Sequence, residues 1–257
     1  MIVHHPPFTI HQFAVLGSTN DVLKQMTEAP EFTCVVAGEQ TAGRGRRDRV
    51  WHSSPGDGLY LSVLLRPATT SAKAPAKIPL LSLMTAVAVA ETVRERGVRG
   101  VDIKWPNDVL VNERKLSGIL IESGSTGAGE TRVIVGIGVN LNHPSFPEEL
   151  GQTATSMKIE LGQAVAVDEF RNQLLSRLGR WYEHWKRGED TAILGRWRQL
   201  SSYACGQRII VTLDHEQFTG ETAGLTDDGA LLVRTADGGW RTVLSGEVKR
   251  LRKSDVD

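Results

Sequence analysis

The chain carries only two cysteines in 257 residues, Cys34 and Cys205. Neither belongs to a CxxC pair or has zinc-ligand spacing, which excludes a disulfide framework and a cysteine-built metal centre. Free thiols of this kind are expected as reduced core residues. The seven histidines are scattered without paired spacing, so no histidine metal site is expected, and no Cys/His or Ser/His/Asp nucleophile set is needed. No apolar run approaches the ~18 residues of a membrane span. The N-terminal MIVHHPPFTIHQF lacks the basic and apolar regions of a signal peptide, so a cytoplasmic protein is expected. Lys plus Arg and Asp plus Glu number 30 each, giving a formal net charge of zero. That balance does not suit the broad basic face of a general nucleic-acid binder, though it leaves room for a local basic site. Internal repeats and low-complexity tracts are absent as well.

What is present is an ordinary globular composition, 40% hydrophobic and 23% charged. It suffices for one large domain or for a medium and a small one. Ser18-Thr-Asn-Asp21 precedes Val22, Leu23 and Met26 at helical spacing, which predicts an N-capped helix ending before Pro30. Phe32–Gly38 and Leu59–Leu65 read as buried strands, 68–77 as a small-residue surface loop, and Pro79–Arg96 as a helix closed by Gly97. Val101–Trp105 is a short strand stopped by Pro106. Segments 108–112 and 115–122 form a hairpin turning at Glu113-Arg114. Arg132–Leu141 is a strand whose two glycines suggest close approach of a ligand or another backbone. A helix capped by Asp168 carries Phe170, Leu174, Leu178, Trp181 and Trp185 on one face, read as core packing, and ends at Gly188. A shorter helix covers Thr191–Leu200. Beyond a boundary near Ser201–Gly206 the pattern changes to short β runs with turns at 227–229 and 237–239, a small all-β unit.

Two segments carry the chemistry. Residues 43–49, Gly-Arg-Gly-Arg-Arg-Asp-Arg, hold four arginines and two glycines. They lack the third glycine and the following helix of a dinucleotide fingerprint, and the Gly-Lys-Ser/Thr ending of a P-loop. What remains is a loop of backbone amides and guanidinium forks, each fork able to hold two oxygens of a phosphate or carboxylate. The bland alternatives are a solvated basic loop or a nucleic-acid contact. Trp51 beside it adds a flat apolar surface, and clamped oxygens with a stacked base suit a nucleotide. The second segment is Lys104-Trp-Pro-Asn-Asp108. Pro106 forces a turn that presents Asn107, able to read an adenine edge, and Asp108, able to orient a basic group or hold Mg²⁺; Asn-Asp after Pro is equally ordinary turn chemistry. Lys115 follows on the return strand, and Gly118 permits close approach of a ligand.

In order, Ser18-Thr19-Asn20, Gln40…GRGRR…Trp51, KWPND, Lys115-Leu-Ser-Gly118 and GIGVN at 136–140 resemble the biotin–protein ligases, most strongly over residues 15–142. The resemblance implies an α+β fold: a mixed sheet packed with helices, the class II synthetase-like catalytic domain (1–203), then a small SH3-like β-barrel domain (204–257). It implies activation of biotin by ATP to biotinyl-5′-AMP and transfer to a lysine of a biotin carboxyl carrier domain. Ser18, Thr19, Asn20 and Gln40 are then similar to the biotin-ring contacts. Gly43, Arg44, Gly45 and Arg46 resemble the loop closing over biotin and adenylate, which would order on ligand binding, and Gly118 lies beside the ligand. Trp51 resembles the adenine-stacking residue, Asn107 and Asn140 the adenine-side polar contacts, and Asp108 the acid near ribose and phosphate. Lys115 resembles the lysine that polarises the acyl-phosphate. Catalysis is assigned to Lys115, Arg46, Arg44 and Asp108. ATP, Mg²⁺ and biotin are the implied small molecules, with no resident protein metal site. No nucleic acid or membrane partner is expected, and homodimerisation is left open. The alternatives are a lipoate–protein ligase and a biotin-responsive regulator; the residues before Ser18 are too few for a helix-turn-helix domain, which counts against the latter. Asp48 stands where the family usually has glycine, and a pairing with Arg47 or Arg49 is expected.

Overall fold

The computed structural model describes residues 1–67, 77–125 and 131–251, with side chains except those of Asp48 and Ser125. The expected surface loop at 68–77 falls almost wholly outside them. The main body is an eight-stranded sheet in the order β1-β2-β3-β4-β8-β7-β6-β5. Its strands are β1 (Ile2–His5), β2 (Phe8–Leu16), β3 (Thr33–Gln40), β4 (Gly58–Leu65), β5 (Val101–Lys104), β6 (Asp108–Val111), β7 (Arg114–Ser125) and β8 (Thr131–Asn140). Only β2 and β3 pair in parallel; the remaining pairs are antiparallel.

Strands β1 and β2 were not expected from the sequence. Pro6-Pro7 and the neighbouring histidines mask the alternation, yet that proline pair is the turn between the two strands, and Phe8 and Ile10 are buried. The β6–β7 hairpin turns at Asn112-Glu113, one residue earlier than expected. Both residues have positive φ (49° and 65°), the conformation a two-residue hairpin loop requires.

Helices cover the two sheet faces unequally. On one face lie α2 (Ile78–Glu95), α5 (Val167–Lys186) and α6 (Asp190–Leu200), which pack on one another and fill the large apolar core. Tyr182 and Trp185 continue the buried stripe Phe170-Leu174-Leu178 of α5. Trp181, expected on that stripe, is only partly buried and donates its indole N–H to Glu91 at 3.0 Å. Ala166, not Asp168, caps α5; Asp168 lies in the first turn and pairs with Arg171 at 2.6 Å. On the other face, among the described residues, sits α1 (Thr19–Gln25), over β3, β4 and β8, with a small apolar cluster of Leu23, Ala29, Val35, Leu64 and Ile134. Ser18 occupies its cap position, but its side chain makes no capping hydrogen bond. Two short helices, α3 (Glu148–Gly151) and α4 (Met157–Leu161), link β8 to α5; their few residues left no readable period.

Residues beyond a short 3₁₀ turn at 202–204 form a five-stranded antiparallel sheet, order β12-β11-β10-β9-β13. These strands are β9 (Cys205–Thr212), β10 (Gln217–Leu225), β11 (Leu231–Thr235), β12 (Trp240–Val243) and β13 (Glu247–Arg250). Cys205 is exposed, contrary to expectation, while Cys34 is buried. The sheet is tied to the main body by named bonds. Trp105 Nε1 donates to Gly229 O at 3.0 Å, Ser202 N and Oγ donate to the Asp102 carboxylate at 2.7 and 2.6 Å, and Arg250 pairs with Glu113 at 2.6 Å. No helix among the described residues is long and apolar enough to cross a membrane.

Candidate active site

The sheet face under α1 is hollowed by its own sequence. Cross-strand partners point the same way, so Gly118↔Gly138 and Leu120↔Gly136 on β7 and β8, with Tyr60↔Gly138 and Ser62↔Gly136 on β4, share this face. Three of those side chains are hydrogen, and the floor is low. A Cβ on Gly138 would lie 2.4 Å from the Trp51 indole, one on Gly118 2.9 Å from it, and one on Gly136 2.6 Å from Asn20 Oδ1. These glycines are therefore required by what lies over them. The result is a solvent-open cleft walled by α1, the arginine segment and strands β4, β7 and β8.

Polar groups converge at the α1 end. Gln40 Oε1 accepts from Thr19 N at 2.9 Å and from Thr19 Oγ1 at 3.0 Å. Ser62 Oγ lies 2.6 Å from Thr19 Oγ1 and donates to Asn20 Oδ1 at 2.5 Å; Asn20 Nδ2 donates to Glu122 at 2.5 Å. Ser18, Thr19, Asn20 and Ser62 are all buried, so this network fixes donors and acceptors at the cleft wall without solvent competition.

The arginine segment is a folded hairpin. Trp51 N donates to Gly43 O at 2.9 Å, Gly45 N donates to Arg49 O at 2.7 Å, and Arg44 and Val50 form an antiparallel bridge. Its tip turns at Arg47, with φ 54°. Arg44 forks onto both oxygens of Asp21, each at 2.6 Å, and that bond holds the Asp21 carboxyl below its ordinary range. Arg46 donates to Gly246 O at 3.1 Å. Burial, and then the like charge of Arg47, push its guanidinium below its ordinary range. Among the described residues Arg46 has no ion pair, so it is a partly desolvated cation at the cleft wall. Arg47 pairs with Asp214 at 2.7 Å and Arg49 with Glu247 at 2.5 Å. Both arginines thus meet carboxylates of the five-stranded unit; the expected pairing of either with Asp48 involves a side chain that lies outside the described residues.

Across the cleft, Lys115 Nζ is 2.6 Å from Asp108 and 5.5 Å from the centre of the Trp51 ring, and Lys104 Nζ is 3.6 Å from the same Asp108. One carboxylate therefore lies between two lysine ammonium groups. Asn107 Nδ2 donates to Ile119 O at 2.8 Å, and Ile119 N returns a bond to Asn107 O at 2.9 Å, stitching the turn after Pro106 to β7.

Over residues 12–140 the chain matches the profile of the family described as biotin/lipoate A/B protein ligases, and over 204–250 that of the biotin protein ligase C-terminal domain. The chain belongs to the biotin/lipoate A/B protein ligase family. It is 35% identical over 249 residues to the bifunctional ligase/repressor BirA of Bacillus subtilis, covering 95% of this chain and 72% of that protein. It is also 35% identical over 254 residues to the biotin–[acetyl-CoA-carboxylase] ligase of Mycobacterium tuberculosis, covering 93% and 88%. Its fold matches the Aquifex aeolicus biotin protein ligase solved with biotin and ATP at a TM-score of 0.82, with 29% identity, covering 94% of this chain and 99% of that one.

In this ligase-family cleft the lining includes Ser18, Thr19, Asn20, Gln40, Arg44, Gly45, Arg46, Trp51, Asn107, Lys115 and Gly118 of the residues expected from sequence. Three expected residues do not line it. Asp108 stands behind Lys115; Gly43 closes the hairpin base; and Asn140 donates to Thr155 O at 3.1 Å and Lys115 O at 3.4 Å, holding the backbone that carries Lys115. Sequence reasoning missed Ser62, Asp21 and Glu122, whose partners are distant in the chain. It also missed Leu120, which shares the glycine face opposite Gly136; Leu61, Ile119 and Ile137 border the cleft too, although their register positions belong to the filled face.

Proposed function

We propose that the chain activates biotin with ATP, forming biotinyl-5′-AMP and pyrophosphate, and passes the biotinyl group to a lysine of a carboxylase carrier domain, with release of AMP. The observation that carries this reading is a hydrogen-bonding end and a cationic end in one cleft: the Ser18–Thr19–Asn20–Gln40 wall beside Arg44, Arg46 and Lys115. The first suits a small ring with urea-like donors and acceptors, the second a carboxylate meeting a phosphate.

The first step joins two anions. At about 3.3 Å and an effective dielectric near 20, a pair of unit charges repels by about 5 kcal/mol, worth three to four orders of magnitude in rate. Fixed cations offset that repulsion, and Lys115, oriented by Asp108, and Arg46 are assigned this role. Trp51 is assigned to adenine stacking, Asn107 to the adenine side, and Asn140 to holding the Lys115 backbone. In the second step the carrier's amine attacks the acyl carbon, AMP leaves with the bonding pair, and the amine loses its proton. No carboxylate lines the cleft, and no cluster of three or more metal-ligating side chains occurs among the described residues. Mg²⁺ is assigned to the ATP substrate. We also assign residues 1–203 to the biotin- and ATP-binding unit and 204–257 to a separate small β unit; the C-terminal profile match at 204–250 supports this.

Biotin-dependent ATP–pyrophosphate exchange, followed by labelled-biotin transfer to a carrier domain, tests the reading. Exchange supported by lipoate and not by biotin would reject it in favour of the lipoate branch of the same family.

A further inference from the structure

The arginine hairpin is held from two sides by two different sheets. Its base is fixed to the main body: Arg44 to Asp21 on α1, and Trp51 on the floor at Gly118 and Gly138. Its tip is fixed to the five-stranded sheet by three bonds in four residues: Arg46 to Gly246 O, Arg47 to Asp214, and Arg49 to Glu247. Asp214 lies between β9 and β10, and Gly246 and Glu247 lie at the start of β13. The C-terminal sheet thus offers an anionic edge, two carboxylates flanking a carbonyl, to the hairpin's run of arginines.

That edge meets a need inside the hairpin. Arg46, Arg47 and Arg49 repel one another, and Arg46 is the most desolvated of them. A hairpin tip of like charges, turned through one positive-φ arginine, has little internal reason to keep Arg46 at the cleft wall. External carboxylates remove the charge of Arg47 and Arg49 from the balance and leave Arg46 as the cation that faces ligand.

We infer that Asp214 and Glu247 are positioning residues for the ligase reaction: through Arg47 and Arg49 they hold Arg46 over the cleft, so retention of the acyl-adenylate depends on the C-terminal sheet. This inference rests on the proposed biotin activation for its chemistry. The docking itself has a readout independent of that reading, because trypsin cuts after arginine and the hairpin reports its own release.

The test compares the full-length chain with the double variant Asp214→Asn/Glu247→Gln. Both pairs are largely solvent-exposed, so the effect expected is moderate. In the ligand-free protein, tryptic cleavage at Arg46, Arg47 or Arg49 should rise about 3- to 10-fold while cleavage elsewhere and the thermal midpoint stay unchanged. With biotin, ATP and no carrier, release of biotinyl-5′-AMP into solution should rise by a similar factor, and maximal pyrophosphate exchange should fall about 3- to 10-fold, because Arg46 is assigned to that step. The charge-swapped protein Arg47→Asp/Asp214→Arg should recover at least half of the loss seen in Asp214→Arg alone. Equal hairpin cleavage in the double variant and the unaltered chain, or a swap no better than its single variant, overturns the inference. Faster cleavage in a chain that shows no biotin-dependent exchange upholds the docking and rejects the biotin reading instead.

Discussion

The two faces of the eight-stranded sheet are built from alternate residues of the same strands, yet they answer to different demands. Under α2, α5 and α6 the alternation is filled by side chains such as Leu61, Val63, Val135, Ile137 and Val139, and volume is the only requirement. Under α1 the intervening positions include Ser62, Gly118, Gly136 and Gly138, where volume is withheld and polar groups are paired. Stability and chemistry are thus separated by one residue of register. A strand that reads as continuously buried, as β4 does over all eight residues, carries both.

Substitutions on either face test this contrast. Lys115→Ala, on the hollow face, should lower biotin-dependent pyrophosphate exchange by about 10²- to 10³-fold while leaving the thermal midpoint nearly unchanged. Persistence of exchange would remove Lys115 from the charge-offsetting role. On the filled face, Leu178→Ala should cost about 2–5 kcal/mol in denaturant unfolding, with KM for biotin and ATP within about twofold of the unaltered chain; a large KM change there would collapse the distinction between the faces. Gly138→Ala places a methyl 2.4 Å from the Trp51 indole. The indole must move, and KM for ATP should rise about 10-fold, with a smaller effect on biotin. Asp21→Asn releases the fork on Arg44 and should weaken biotin binding by about threefold, read by calorimetry. The pH dependence of that bond has a definite sign. Because Arg44 lowers the folded-state pKa of Asp21, the contribution is complete above the unfolded value of about 4 and is lost as pH falls through the lower folded value. The Asp21→Asn variant should therefore differ from the unaltered chain at neutral pH and converge with it in strong acid.

Much of this was legible from the sequence because local rules carried it. The long helices, the buried strands β3, β4 and β8, the hairpin after Pro106 and the change to short β runs near residue 203 all follow from periodicity and turn chemistry. Eleven of the expected site residues line one cleft, since the motifs that named them are themselves short in sequence. Illegible features depend on pairing across distance. The Pro6-Pro7 turn hid β1 and β2, whose strand character comes from joining β3 at the sheet edge. Nothing near Arg47 or Arg49 in the chain points to Asp214 or Glu247, 167 and 198 residues away. Asn140 was placed on the ligand by its motif, whereas its amide turns to the backbone of Lys115 and Thr155.

Trp105 shows how far a dense motif can mislead a genetic screen. It is the second residue of Lys104-Trp-Pro-Asn-Asp108, yet it is buried away from the cleft, and its indole N–H is spent on Gly229 O, in a turn that also rests on Leu80 and Leu83 of α2. Loss of this side chain would loosen the joint between the two sheets. Such an allele would be scored as catalytically dead, although the residue takes no part in the reaction. Alleles of Lys104 and Asp108, one and three positions away, would carry the same phenotype for electrostatic reasons. Within five residues the chain writes a rivet and one half of an ion pair in one word, and only a measurement of folding tells the two kinds of allele apart.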